Sequence, residues 1–560
     1  MARLTGFEHP VFVFHREIKA IVVVLAVMFA AGSLRAQTPP SSAAQPSQAA
    51  APSFVEQEEI LGEISAAANL KHYSWANQTN WLIQLQNGPR MSYAMPDRRR
   101  VVWFEYRGDH KLALLNGTPL GPEFDKNLPL RVQSDRDGKH LVIQGVSGKK
   151  GTIIFDGKEL RAGFDEVFSA KLSLDGQKLG FGAKTGNEWS LLINGERRAG
   201  PFDTIPTSSF SADGAHWGYA AKRGNAWVLG LDGKEQSLAD VELLSLWVTR
   251  SGHLVCAAKH KKEHFYVVDG KEGPHFDILG ELVMSGEGGR YAYAGARNKM
   301  GVARDRAAGR LVVDGQLWPE YQGAVYNSLW STFFSNTTVS LKEGMLPHLS
   351  SWIHGASDPV FSPDAQHVAY SAHTGEDTTA VLLGDKVVAK FDRTARTPLA
   401  FSPDAKRLAA LGWRGPKLVE VRDGAVFAEQ DNPDPINIAE DLVWSPDGQR
   451  TAFVMGHGGH FYLEDKTTQA RRRVVVDGRR GTEYNCAVIA NLHFSSDSKH
   501  WGYEVIGDEK RQFRSFVVVD GVEGKSYDEV IPQSLLVSER TVVYVAREGR
   551  KFLRVTRGLP

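Results

Sequence analysis

Short stretches in which every second residue is apolar or small recur along this chain from about residue 95 to its end, as in His216-Trp217-Gly218-Tyr219-Ala220 and Gln366-His367-Val368-Ala369-Tyr370. A period of two predicts half-buried strands. A fixed phrase precedes many of them, an aromatic followed by Ser-x-Asp and often Gly. It reads FSADGAHWGYA at Phe210–Ala220, FSPDAQHVAYS at Phe361–Ser371, FSPDAKRLAAL at Phe401–Leu411, WSPDGQRTAFV at Trp444–Val454 and FSSDSKHWGYE at Phe494–Glu504. Ser445-Pro446-Asp447-Gly448 suits a type I turn, with Pro pre-set at the second position. A second phrase follows in most units: an apolar pair, Asp-Gly or Asn-Gly, then a few residues on a Phe-Asp or Tyr-Asp. Asp269-Gly270 and Asp477-Gly478 are two-residue hairpin signals after Val-rich runs. Each unit therefore reads as strand A, Ser-x-Asp turn, strand B, polar tip, strand C, Asp-Gly turn, strand D. That is a four-stranded antiparallel blade.

The spacing identifies the architecture as all-β. The second-phrase Asn/Asp falls at Asp156, Asn194, Asp232 and Asp269, in steps of 38, 38 and 37, and later steps lengthen to 43 between Asp477 and Asp520. Repeats of roughly 40–45 residues with several short strands each are the signature of β-propeller blades. About eleven units fit, whereas a ring usually holds four to eight. The repeat count therefore predicts two rings: a first propeller of about six blades over 71–321 and a second of about five over 358–560. The phrases vanish over 322–357, which reads as a connector between them; the alternative is one large ring with this stretch as an insertion in a blade.

The N-terminus reads as processing and tether. Arg3, Arg16 and Lys19 precede the apolar run Ala20–Ala31, and Leu34-Arg35-Ala36 offers a small-residue exit, so residues 1–36 resemble a secretory signal. The run is shorter than the roughly 20 residues of a spanning helix. Residues 37–53 are rich in Pro, Ser, Ala and Gln and read as a disordered tether. Ser53-Phe54-Val55-Glu56 fits a capping box and predicts a short helix over 54–70. The implied location is the periplasm or the exterior. The chain carries a net charge of +1, with no global pull toward nucleic acid, and no membrane span is expected after signal cleavage. Its two cysteines, Cys256 and Cys486, fall in different repeats and are expected to stay separate.

At Phe361-Ser362-Pro363-Asp364, Phe401-Ser402-Pro403-Asp404 and Trp444-Ser445-Pro446-Asp447-Gly448 the chain resembles the TolB-type family of WD40-like propeller repeats, also called PD40 repeats. The resemblance covers most of residues 95–550 as repeats, with the Pro missing from the first half. It implies an exported bacterial propeller that binds other proteins or glycan-associated lipoproteins. The amino-terminal domain of TolB is not visible, so its partner set does not carry over.

Catalytic signals are weak. No G-x-S-x-G elbow accompanies the repeats, as a propeller-capped serine peptidase would require. Ser211-Ala212-Asp213-Gly214-Ala215-His216-Trp217 resembles a sialidase Asp box but is one residue short. Gly521-Val522-Glu523-Gly524-Lys525-Ser526 spaces its glycines wrongly for a phosphate loop. The pairs His457/His460 and His260/His264 supply two ligands each, where a metal site needs three or four, so no metal and no cofactor are expected. Asp175, Asp213, Asp364, Asp404, Asp447 and Asp497 recur from blade to blade. A catalytic group is needed once, so these read as structural turns.

The tips between strands B and C are basic. They carry Lys222 and Arg223; Lys259, Lys261 and Lys262; Arg471, Arg472 and Arg473; and Lys510 and Arg511. In a propeller these tips share one face with the D–A connectors, and focused positive potential there attracts anions. The sequence thus predicts an exported, non-catalytic scaffold that binds a protein or an anionic envelope polymer at this face. The alternative is a glycan- or peptide-acting hydrolase with its site at a channel mouth.

Overall fold

The computed structural model describes residues 56–68, 70, 91–125, 130–148, 150–160, 163–238, 241–280, 282–286, 288–297, 308–322, 359–375, 378–392, 399–431, 437–457 and 471–560. The signal-like segment, the tether and most of the 322–357 stretch lie outside these residues.

The described residues form eleven successive antiparallel blades whose strands pair, outside the last blade, largely in chain order. Numbered by their second strands, blades 1 to 11 are built on Val101–Arg107, Leu141–Ser147, Leu179–Thr185, Trp217–Arg223, Leu254–His260, Tyr291–Arg297, Val368–Gly375, Leu408–Arg414, Thr451–His457, Trp501–Asp508 and Thr541–Glu548. Blade 4 is representative: Thr204–Phe210, Trp217–Arg223, Ala226–Leu231 and Lys234–Leu238 run A to D, with ladders only between sequence neighbours. Blades 9 and 10 are also joined by a short pairing of Arg471 and Arg472 with Asn485 and Tyr484.

Blade 11 takes its fourth strand from the other end of the chain. The strand Glu56–Glu63 pairs antiparallel with Lys551–Gly558, from Glu56 opposite Arg557 to Glu63 opposite Lys551. The expected helix over 54–70 is therefore corrected: Glu56–Glu63 is a strand, and the described residues that follow it are turn. The local sequence has good helical propensity and a capping signal. An isolated helix of this length is nevertheless marginal in water, whereas the open edge of Lys551–Gly558 offers a full ladder. Glu56 and Glu58 secure the pairing. Tyr544 Oη donates to Glu56 Oε1 (3.2 Å), Tyr527 Oη to Glu58 Oε1 (2.8 Å), and Lys525 Nζ to Glu58 Oε1 (2.7 Å).

Side chains from the two middle strands of each blade pack on the next blade, and these interfaces follow one another in a single cycle. Ala292, Leu311 and Val313 of blade 6 meet Phe361, Val368 and Tyr370 of blade 7. Ile531, Val545 and Phe552 of blade 11 meet Val101, Trp103 and Leu112 of blade 1. Residues Ser53–Pro560 make one compact unit. Two rings would need blade 6 against blade 1 and blade 11 against blade 7, and no core cluster among the described residues joins them. The physical reason is that 322–357 interrupts the repeat in sequence but not the packing, because its flanking blades use the same faces as every other pair.

The aromatic of the second phrase fills these interfaces. Phe124, Phe202 and Phe391 are buried between their own blade and the next. A glycine of the following blade makes room: a Cβ on Gly412 would lie 2.2 Å from the Phe391 ring. The inner strands carry bulges at Ser169 and Asn491, both with positive φ, which free backbone N–H groups. The preceding blade captures such a group near the first bulge, where Ala170 N donates to Gln144 Oε1 (2.9 Å).

Candidate binding face

Each blade has two ends, and the repeated carboxylates bind them differently. At the turn end, the Ser hydroxyl donates to the Asp two residues on, at 2.5–2.6 Å for Ser173–Asp175, Ser211–Asp213, Ser362–Asp364, Ser402–Asp404, Ser445–Asp447 and Ser495–Asp497. The same Asp oxygen accepts the backbone N–H two residues further along, and the Ser oxygen accepts the N–H of the residue just before strand B. The serine hydrogen bond is the chief cause that holds all six carboxyls below their usual range. All six aspartates therefore sit in turns with Oδ1 engaged.

The Asn or Asp of the second phrase closes the same end. It sits in a C–D turn with φ near +50° and reaches back to strand B, accepting from Leu141 N at Asp156, Leu179 N at Asn194, Trp217 N at Asp232 and Trp501 N at Asp520 (2.8–3.0 Å). Where it is Asp, its second oxygen meets a His or Arg side chain just before strand B. The histidine pairs are His140–Asp156, His216–Asp232, His253–Asp269 and His500–Asp520, at 2.6–2.8 Å. Arg290–Asp314 and Arg450–Asp477 do the same at 2.8 and 2.9 Å. Arg450 Nη1 also donates to Ser498 O (3.1 Å) and Lys499 O (3.0 Å) in the next blade's turn, as Arg290 does to Ala365 O (2.9 Å) and Gln366 O (3.2 Å). This His or Arg stands five residues after the Ser at His216, Arg290, Arg450 and His500, a regularity visible in the repeats themselves.

At the tip end, the Asp of the Phe-Asp or Tyr-Asp pair caps the B–C tip of the following blade. Gly148 N donates to Asp125 (3.1 Å), Gly186 N to Asp165 (2.7 Å), Gly224 N to Asp203 (2.6 Å), Gly415 N to Asp392 (2.9 Å) and Gly549 N to Asp528 (2.7 Å). The B–C tips and the D–A connectors therefore share a face, as the sequence predicts.

The predicted basic residues divide on this face. Arg472 is buried, with Nη1 donating to Cys486 O (3.1 Å), and is not a solvated tip residue. It shares a strand face with the buried Val474 and Val476. Arg471 and Arg473 both pair with Glu483. Arg223 lies over Phe202 (5.1 Å) and pairs with Glu235 (3.1 Å), while Lys222 lies over Trp227 (4.9 Å). Arg511 stacks on Phe516 (3.8 Å) and pairs with Glu523 and Asp508. Lys259 is half-buried. Lys261, Lys262 and Lys510 are exposed and form no ion pair among the described residues.

The buried carboxylates hold structure together. Glu504 accepts from Asn491 Nδ2 (3.2 Å), Gln533 N (3.3 Å) and Leu535 N (3.2 Å), stitching blade 10 to blade 11. Glu105 accepts from Ser65 N (2.8 Å) and Ser65 Oγ (2.6 Å). Asp508 differs. Burial pushes its carboxyl up, and its Oδ1 has no hydrogen-bond partner among the described residues. Among the described residues no group of three or more His, Cys, Asp or Glu is arranged to hold a metal ion. His264 Nδ1 faces Asp277 O (3.3 Å), and His460 lies outside the described residues. Cys256 and Cys486 are buried free thiols.

No protein-family model and no curated protein matches the chain. Among solved structures it is similar to a eukaryotic initiation factor (11% identity, 65% of this chain and 89% of that one, TM-score 0.31). It is also similar to the dihydro-heme d1 dehydrogenase NirN in complex with DHE (12% identity, 64% and 75%, TM-score 0.25). A third likeness is to the Dos1 propeller (11% identity, 57% and 88%, TM-score 0.25). At these scores the likenesses carry no argument. The assignment rests on strand order and blade packing: this chain is an all-β propeller of four-stranded antiparallel blades.

Proposed function

We propose that this protein is an exported, non-catalytic propeller scaffold whose B–C tip face binds a protein or an anionic polymer of the cell envelope. One observation carries the reading. The recurring carboxylates are engaged in turns, in contacts with His or Arg side chains and in tip caps, while Lys261, Lys262 and Lys510 are exposed on the tip face and form no ion pair among the described residues. Exposed lysines of this kind attract anions locally, beside the capping aspartates of the same face. The signal-like run Ala20–Ala31 and the resemblance of the Ser-Pro-Asp turns to TolB-type repeats support the envelope as the compartment.

The test is binding of the mature chain to a soluble polyanion, followed by capture from envelope extract. Lys261→Glu with Lys262→Glu should weaken polyanion binding, and affinity should fall as salt rises, since exposed charges are screened beyond roughly 10 Å at about 0.1 M ionic strength. Binding that ignores both changes would refute the proposal.

A further inference from the structure

Two joints between blades are built on one plan with different chemistry. Between blades 2 and 3, Gln133 Oε1 accepts from Leu172 N (3.2 Å) and Gln144 Oε1 from Ala170 N (2.9 Å). Between blades 10 and 11 the same two places hold His493 and Glu504, which accept from Val537 N (3.1 Å) and Leu535 N (3.2 Å). Register establishes the match. Gln133 and His493 lie on the inner strands Arg131–Ser134 and Tyr484–Phe494, each opposite the second residue of strand B, Val142 or Gly502. Glutamine does not titrate, whereas histidine is the side chain that changes charge between pH 5 and 8.

The partners fix the state of the His493 ring. Its Nδ1 faces Asn491 O (2.8 Å), a carbonyl that can only accept, so Nδ1 carries a proton. Its Nε2 accepts from Val537 N, so Nε2 carries none. The neutral imidazole therefore closes the joint. A second proton would set one N–H against another and leave the Val537 amide without its acceptor, which costs more than the bond alone contributes.

Charged groups come from each neighbouring element. Glu504, on strand B of blade 10, is already met by Asn491 Nδ2, Gln533 N and Leu535 N. Asp497, in the turn of blade 10, is held by Ser495, and Glu539, in the turn of blade 11, accepts from Ser496 Oγ (3.3 Å). Arg98, in the turn of blade 1, donates through Nε to Ser534 O (3.2 Å) and disfavours a further positive charge nearby. Burial first, and then Arg98, hold the His493 ring below the usual histidine range.

Blade 11 is also where the ring closes, on the strand Glu56–Glu63. We propose that the joint between blades 10 and 11 is an acid-sensitive latch: protonation of His493 releases Val537 and loosens blade 11, with its Glu56–Glu63 strand, from blade 10, while the joint between blades 2 and 3 stays closed. The sign follows from the neutral ring. The stability it gives is fully present above the unfolded histidine value near ~6.5 and is lost as pH falls through the lower folded value.

The experiment is hydrogen exchange of the full chain at single-residue resolution, read as protection factors of the Val537 and Leu172 amides between about pH 7.5 and about pH 5. In wild type, Val537 protection should fall about fivefold or more on acidification, since each unit between folded and unfolded values is worth tenfold, while Leu172 should change by less than about twofold. His493→Gln, which installs the chemistry of Gln133, should abolish the fall at Val537. Val537 protection that ignores pH would overturn the proposal, as would equal falls at the two amides or a fall that persists in His493→Gln. The comparison of the two amides within wild type decides the matter even where the variant does not fold.

Discussion

The two ends of the blades use the same kinds of residue to opposite effect. At the turn end, carboxylates and cations are matched: Asp447 is held by Ser445, and Asp477 holds Arg450, which continues into the next blade. At the tip end, the carboxylates cap glycine N–H groups of the neighbouring blade, while Lys261, Lys262 and Lys510 keep no ion pair among the described residues. Recurrence with partners is the mark of structure. Charge left without partners at one end is where a ligand is to be sought.

Substitutions that separate the two ends sharpen this contrast. The largest effect is expected for Arg450→Ala, which removes the Asp477 pair and two bonds to the turn of blade 10. By the usual cost of charge-assisted hydrogen bonds it should destabilise by about 2–3 kcal/mol in chemical denaturation, with polyanion binding retained. A cost near zero would remove the claim that the turn end ties blades together.

Asp447→Ala should cost about 1 kcal/mol, the scale of one net local hydrogen bond. The pH dependence has a definite sign. The six turn carboxyls are held below their usual range, so their contribution is fully present above the unfolded aspartate value near ~3.9 and is lost as pH falls through the folded value. Asp508 at the tip end acts the other way: its raised carboxyl adds stability at low pH that is lost as pH rises through the folded value. Asp447→Asn should shrink the acid-side loss, and Asp508→Asn should remove the opposing trend. Melting curves between neutral and acid pH, in which both variants track wild type, would contradict the assignment.

Ala405 occupies the fourth place of its turn with φ +63°, where Gly448 stands in the next blade. A left-handed alanine is strained by about 1–2 kcal/mol, part of which glycine loses again in backbone entropy. Ala405→Gly should therefore stabilise by about 0.5 kcal/mol or more, read as a shift in denaturation midpoint. At the tip end, Lys261→Ala should stay within about 0.5 kcal/mol of wild type.

The blades were legible in the sequence because each turn is local. Ser402-Pro403-Asp404 fixes its own hydrogen bonds, and copying it fixes the period. What was not legible depends on distant partners. The stretch from Glu56 becomes a strand because Lys551–Gly558 is waiting, and nothing in its own pattern says so. The ring count failed for a related reason. The repeat breaks between blades 6 and 7, yet Leu311 and Val313 still pack on Phe361 and Val368. Among the tip residues, the sequence placed Lys261 and Lys262 on the exposed tips but took Arg472 with them. The alternation Arg472, Val474, Val476 was the available sign that this arginine points inward.

The central claim is that the turn end is structure and the tip end is the binding face. It is tested most directly by measuring polyanion affinity against salt concentration for wild type and for the triple variant Lys261→Glu, Lys262→Glu, Lys510→Glu, with melting temperature recorded on the same samples. The account predicts that the variant keeps the wild-type melting temperature to within a degree or two, binds at least about tenfold more weakly, and shows a flatter salt dependence. Equal affinity and equal salt dependence in a folded variant would contradict it.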